Sequence, residues 1–341
     1  MSNLVEVDFS SNLLNSISFE NNSNYLSYIN LNNNQLTSLD LSNIIFGSDV
    51  YSLELSCVNN FLTNFNLIPE IRILNLTDND LNNITIPNNS LLERFECSNN
   101  NLTEIDLLNC PYLSYLDVSY NDLSSLDISN NYNYNNNIIN YIDWNRTLIC
   151  NNNILTNLTF GVGDYFDNQK EIYLIDCSNN QLTDLKLKYL SFVDALDCSN
   201  NNILILTNST DDYSNGSYDL NYFPGYQNIK NINVGNNINL NLIKLRDTYT
   251  QNIDFNNCNS IYYFYMNGSK LTSLDVSNLN NLDYLYVSNN LLTNLVLNNT
   301  IVEVFCSGNN LTNLNVNFLT LEKLMCSGNQ LSNLNIDNCI N

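Results

Sequence analysis

The stretch LSYLDVSYNDLSSLDI, residues 113–128, sets six apolar side chains around one asparagine, Asn121. Leu113, Leu116 and Val118 precede it at −8, −5 and −3; Leu123, Leu126 and Ile128 follow at +2, +5 and +7. Positions −5 and −3 are separated by one polar residue, and so are +5 and +7. Alternation with period 2 is the signature of a strand with one face buried. The stretch therefore reads as two short strands, each too small to bury its apolar side alone.

The same spacing recurs along the chain. It anchors on Asn12, Asn34, Asn60, Asn79, Asn100, Asn121, Asn153, Asn180, Asn201, Gln227, Thr248, Ser269, Asn290, Asn309 and Asn329, most often 21 residues apart. Around Asn290 the six slots hold Leu282, Leu285, Val287, Leu292, Leu295 and Leu297. Around Thr248 the asparagine is lost, but Ile243, Leu245, Ile253 and Phe255 keep their places. Stacked copies of such a unit bury a continuous core that no single copy has. The anchor amide is expected to turn inward and bond backbone groups of the turns above and below.

This spacing resembles the leucine-rich repeat, L-x-x-L-x-L-x-x-N-x-L, over nearly the whole chain. The second half of each unit reads L-x-x-L-D-L, so it is similar to the short 21-residue microbial class, in which the two halves resemble each other. The resemblance implies a single solenoid over 1–341 of about fifteen units. A parallel sheet would form its concave face, a second extended segment would lie opposite, and there would be little helix. The spacing stretches at 129–144, 161–171 and 208–221, where insertions are expected on one edge.

Composition narrows the function. The chain has 341 residues, 77 of them Asn, with 34 Asp+Glu against 11 Lys+Arg and a net charge of −23. So acidic a surface repels nucleic acid and anionic membranes. Histidine is absent, which removes the commonest general base and metal ligand. No apolar run reaches the length that crosses a bilayer. The N-terminus, MSNLVEVDFSSNLLN, shows no signal-peptide pattern, which favours a cytoplasmic or virion location over a secreted one.

Three groups of residues invite a chemical reading. Cys57, Cys97, Cys150, Cys177, Cys198, Cys306 and Cys326 all occupy slot −3, which holds Leu, Val or Met in other units. Cys110, Cys258 and Cys339 share a second slot, three residues after +7. A slot that accepts leucine is a core slot, so these thiols are expected to be buried filler. Asp or Glu recurs at −4, as Asp8, Glu96, Asp117, Asp176 and Asp197, and Asp recurs at +6. A repeated column singles out no catalytic pair, so solvated acidic surface is expected. The aromatics differ. In three successive units the outward slots −6 and −4 hold Tyr263 and Tyr265, Tyr284 and Tyr286, then Phe305. That places five rings in one patch, and clustered exposed aromatics are typical of interaction sites. The insertions are aromatic too and carry the single tryptophan, Trp144.

These residues point to a non-enzymatic scaffold without cofactor or metal, binding a protein or glycan partner through Tyr263, Tyr265, Tyr284, Tyr286, Phe305 and Trp144. The alternative is a structural or attachment component of a virion or microbial surface, assembling through its terminal repeats.

Overall fold

The structure, a computed structural model, describes residues 4–19, 26–44, 53–131, 146–161, 170–187, 190–207, 228–245, 248–316, 318–336 and 339. Trp144 and most of the three insertions lie outside the described residues. No α-helix occurs among the described residues. The chain divides into two compact units, Met1–Asp164 with Asn168–Asn180, and Tyr165–Asp167 with Gln181–Asn341.

In the first unit the strands are β1 (Glu6–Asp8), β2 (Tyr28–Asn30), β3 (Leu53–Ser56), β4 (Asn64–Asn66), β5 (Ile71–Asn75), β6 (Asn83–Thr85) and β7 (Arg94–Glu96). They continue with β8 (Tyr115–Asp117), β9 (Ser125–Asp127), β10 (Thr147–Ile149), β11 (Asn157–Thr159), β12 (Lys170–Glu171) and β13 (Leu174–Asp176). First-half strands pair in parallel in the order β1–β2–β3–β5–β7–β8–β10–β13. Second-half strands pair separately, β4 with β6 and β9 with β11. This is a parallel β-solenoid with two strand columns. Leu116, Val118, Leu123 and Ile128 of the opening stretch are fully buried between them.

The anchor asparagines form the expected ladder. Asn121 Nδ2 donates to Val118 O (3.2 Å) in its own turn and to Cys97 O (2.9 Å) one turn back. Its Oδ1 accepts from Leu102 N (3.0 Å) of that earlier turn. Asn34, Asn60, Asn79, Asn100, Asn153 and Asn180 repeat this rung. Carbonyls and N–H groups that the turn would bury without partners are thus bonded. The residue before each anchor adopts a left-handed φ, as at Asn99 (54°) and Tyr120 (52°). Asparagine tolerates that conformation best after glycine, which explains the repeated Asn-Asn.

The second unit begins with β14 (Asp184–Lys186), β15 (Leu190–Asp197), β16 (Ile205–Thr207), β17 (Asn228–Asn233), β18 (Leu242–Lys244) and β19 (Asn252–Asp254). It continues with β20 (Tyr263–Tyr265), β21 (Ser273–Asp275), β22 (Tyr284–Tyr286), β23 (Asn294–Val296), β24 (Glu303–Phe305) and β25 (Lys323–Met325). One sheet carries β15–β17–β19, a second carries β14–β16–β18–β20–β22–β24–β25, and β21 pairs with β23.

Here the order departs from the expectation that all first-half strands share one sheet. β15 is the first half of the Asn201 unit and β16 its second half. β17 pairs with β15 through Ala195↔Asn231, and β18 pairs with β16 through Leu206↔Ile243. β18 is nevertheless the first strand of the Thr248 unit. From β18 onward the two halves of the repeat have therefore exchanged sheets. Gln227, the expected anchor, lies outside the described residues. The rung is made instead by Asn237, whose Oδ1 accepts from Ile203 N (3.0 Å) and whose Nδ2 donates to Cys198 O (3.0 Å) and Val234 O (2.7 Å). The exchange is tolerated because both halves carry the same L-x-L strand and differ only in the turn that follows. The next two anchors lack the amide but stay buried, with Thr248 Oγ1 3.0 Å from Ser269 Oγ. The amide ladder resumes at Asn290, Asn309 and Asn329.

Candidate functional site

The acidic columns turn out to be turn caps. Asp117 Oδ1 accepts from Ser119 N (3.0 Å) and Ser119 Oγ (2.6 Å), two residues on. Asp8, Asn30, Asn75 and Asp176 in the first unit make the same bond, as do Asp197, Asn233 and Asp254 in the second. At slot +6, Asp40, Asp106, Asp127 and Asp275 do likewise. These are Asx turns, in which a short side chain imitates a backbone acceptor. The cap holds the exposed Asp8, Asp40 and Asp275 carboxyls below the usual range, chiefly through the serine that follows. Asp117 moves the other way, because burial outweighs its bonds to Ser119. Glu96 pairs with Arg94 at 2.7 Å, and the Arg94 guanidinium sits 3.7 Å from the Tyr115 ring centre. An expected solvated surface is thus a structural column.

Eight of the ten cysteines are buried as expected, whereas Cys326 and Cys339 are half-buried. Cys57, Cys97, Cys150, Cys177 and Cys198 are fully buried. Burial drives the Cys110 and Cys306 thiols up to about 12 and Cys258 to about 11, far from a reactive thiolate. Among the described residues no cluster of three or more Cys, Asp or Glu side chains could hold a metal ion.

The aromatic residues are brought together as the spacing implies, but on a different sheet. β20, β22 and β24 lie in one sheet with the second-half strands β14 and β16. Register puts Lys244, Tyr265, Tyr286, Phe305 and Met325 in one column, and Leu242, Tyr263, Tyr284, Glu303 and Lys323 in the other. Rings stack face to face along each column. Centroids are 4.8 Å apart for Tyr263–Tyr284, 4.4 Å for Tyr265–Tyr286 and 4.6 Å for Tyr286–Phe305, with planes within 16–17°. The five rings are half-buried, with Phe264, Leu285 and Val304 beneath them in the core.

Two features escaped the sequence. Tyr262, one residue before β20, joins the cluster edge-on, 4.7 Å from Tyr263 and 5.4 Å from Tyr284. A hydrogen bond to Asp283 is the main reason its phenol ionises above the ordinary range. Glu303, buried at 8 % exposure, accepts from Tyr286 OH (2.8 Å) and Lys323 Nζ (2.6 Å). Burial first, and then the bond to Glu303, hold the Tyr286 phenol up. The lysine, more than the phenol, holds the Glu303 carboxyl down. The charge at the edge of the patch is therefore paired. No pattern of apolar spacing could mark Glu303, because it occupies a slot that holds tyrosine in the two preceding units.

No protein-family model and no curated protein matches the sequence. Among solved structures the chain is similar to the functional domain of InlJ from Listeria monocytogenes, described as including a cysteine ladder. That match has 23% identity and a TM-score of 0.47, covering 92% of this chain and 64% of the InlJ domain. It is also similar to YopM, a leucine-rich effector protein from Yersinia pestis, with 20% identity, a TM-score of 0.43 and coverage of 96% and 79%. The internalin InlF from Listeria monocytogenes gives 18%, 0.42, and 97% and 87%. The chain spans less than two thirds of the InlJ domain's length. Likenesses this distant concern the fold alone, and the assignment rests on the chain's own repeat, amide ladder and parallel stacking. On those grounds the chain is a parallel β-solenoid of short strands and turns, whose repeat is similar to the leucine-rich repeat.

Proposed function

We propose that the chain is a non-enzymatic binding scaffold whose partner is a protein, met at Tyr263, Tyr265, Tyr284, Tyr286 and Phe305. The observation that supports this reading is the run of three strands on which stacked rings replace the turn cap. Where slot −4 holds Asp or Asn, the side chain caps its own turn. On β20, β22 and β24 an aromatic ring stands there instead, and after β22 and β24 the turn N–H finds another acceptor. Ser288 N donates to Asn267 Oδ1 (2.7 Å), and Ser307 N to Ser288 Oγ (3.2 Å). Gly268 and Gly308 take the left-handed position in two of these three turns, as Gly328 does in the next. The same substitute bond forms at β3, where Ser56 fills slot −4 and Val58 N donates to Asn32 Oδ1 (2.6 Å), so the run of stacked rings, and not the rewiring, sets these strands apart. A large, stiff aromatic surface of this kind loses little entropy on contact. Mutual ring stacking also stabilises the sheet, and that supports the second reading, a structural or attachment role.

The test replaces Tyr263, Tyr265, Tyr284 and Tyr286 by Ser and compares capture from an extract of the native source. Circular dichroism checks the fold, and a control changes the exposed Tyr112 and Tyr173 of the first unit to Ser. The proposal expects partners held by the wild type and the control and lost by the patch variant. Identical captures by all three would exclude it.

A further inference from the structure

The binding reading above fixes where the partner sits; the orientation of the rings fixes what chemistry it brings. An aromatic ring is negative over its faces and positive around its edge. Sugars, through their C–H groups, and cations, through their charge, both seek the face. In this patch the ring faces that meet within each column are already used. Tyr286 has Tyr265 on one face at 4.4 Å and Phe305 on the other at 4.6 Å. Tyr263 and Tyr284 cover each other at 4.8 Å. Beyond the ends of the ring stacks, register places Lys244 beside Tyr265, Met325 beside Phe305, Leu242 beside Tyr263 and Glu303 beside Tyr284. What faces outward is ring edge, and the Tyr286 hydroxyl is already bonded to Glu303.

We infer that the patch takes a short, extended protein segment that lays aromatic ring faces and backbone carbonyls against these edges, and not a glycan or a cationic peptide. Edge-to-face geometry is the favoured complement to an exposed ring edge. Carbonyl oxygens suit the positive edge. Size sets the length of the segment. Three ring-bearing strands at ~4.8 Å and two outward residues per strand give a face of about 14 by 14 Å, on the order of 200 Å². A stable dimer of two folded chains buries about 800 Å² on each side, so a second copy docked here alone falls short. A segment of about five residues fits, since an extended residue spans ~3.3 Å. Charge agrees, because Glu303 is already paired with Lys323 and no charged side chain occupies slots −6 and −4 of β20 or β22.

The experiment titrates the purified full chain with three probes, the peptide Gly-Trp-Gly-Trp-Gly, hexa-arginine and cellohexaose, read by saturation-transfer NMR. The tryptophan peptide is expected to bind at least about ten-fold more tightly than the other two, a gap of about 1.4 kcal/mol. Tyr265→Leu with Tyr284→Leu should weaken that peptide by about ten-fold, whereas Tyr265→Phe with Tyr284→Phe, which keeps the edges, should hold it within about three-fold. Equal or tighter binding of hexa-arginine or cellohexaose overturns the inference. So does tryptophan-peptide binding that ignores the leucine pair, or no probe binding at all. If the inference fails while the four-tyrosine variant still loses its captured partner, the binding reading stands without it. If capture is unchanged as well, both fall.

Discussion

At the residue scale the fold depends on short polar side chains that stand in for backbone. Asn121 bonds the Cys97 and Val118 carbonyls, which Asn100 and Asn153 also reach, and accepts from the buried Leu102 N–H. Leaving buried backbone groups unsatisfied costs roughly 1–3 kcal/mol each. Asn121→Ala orphans the Leu102 N–H and should therefore destabilise the protein by about 1–3 kcal/mol, read by urea unfolding. A loss below about 1 kcal/mol would mean that the ladder is incidental. Asp117 separates cap from charge. Burial raises its carboxyl above the ordinary value, so folding favours the neutral form. The stability linked to that group is present below the unfolded carboxyl value near 3.9 and is lost as pH rises through the raised folded value. At pH 7 the charge is a liability while the acceptor is useful. Asp117→Asn keeps the acceptor and should match or exceed the wild-type melting temperature at pH 7, an advantage that fades by pH 3. Asp117→Ala should cost about 1 kcal/mol at pH 7. Equal losses for Asn and Ala would refute the cap. The sequence held a clue to this role, since Asp117, Asp127, Asp176, Asp197 and Asp275 are each followed two residues later by serine. Slot periodicity alone reports which way a side chain points, not that it curls back to its own turn.

At the element scale the strands, their parallel stacking and the scarcity of helix were legible, because period-2 alternation at fixed offsets recurs too often to arise by chance. The exchange of sheets after Asn201 was not. Between Asn201 and Thr248 the spacing suits two stretched units, and counting residues cannot tell two whole units from a whole number plus a half. The near-identity of the two halves, which makes the exchange physically possible, also hides it from the sequence. The patch was therefore assembled correctly from its slots and assigned to the wrong sheet. Pairing can be checked by a short bismaleimide crosslinker. Ala195→Cys with Asn231→Cys should crosslink, because those residues are direct partners across β15 and β17. Ile205→Cys with Asn231→Cys should not. The reverse result would restore the unexchanged order.

At the scale of the whole molecule, the strongest acidity and the five-ring patch fall in different parts of the chain. Residues 1–180 carry 21 Asp+Glu against 4 Lys+Arg, or −17, while residues 181–341 carry 13 against 7, or −6. The five-ring patch lies in the second, weakly charged part. Contact there depends on area and ring geometry more than on salt bridges, whereas the strongly negative first part disfavours acidic partners at long range. The central claim is that the rings of β20, β22 and β24 meet the partner. Tyrosine nitration, mapped by mass spectrometry with and without the captured partner, tests it most directly. Tyr263, Tyr265, Tyr284 and Tyr286 should lose reactivity in the complex while Tyr28 and Tyr115, on the first-half sheet of the first unit, keep theirs. Protection at Tyr28 and Tyr115 with the four patch tyrosines unchanged would contradict it.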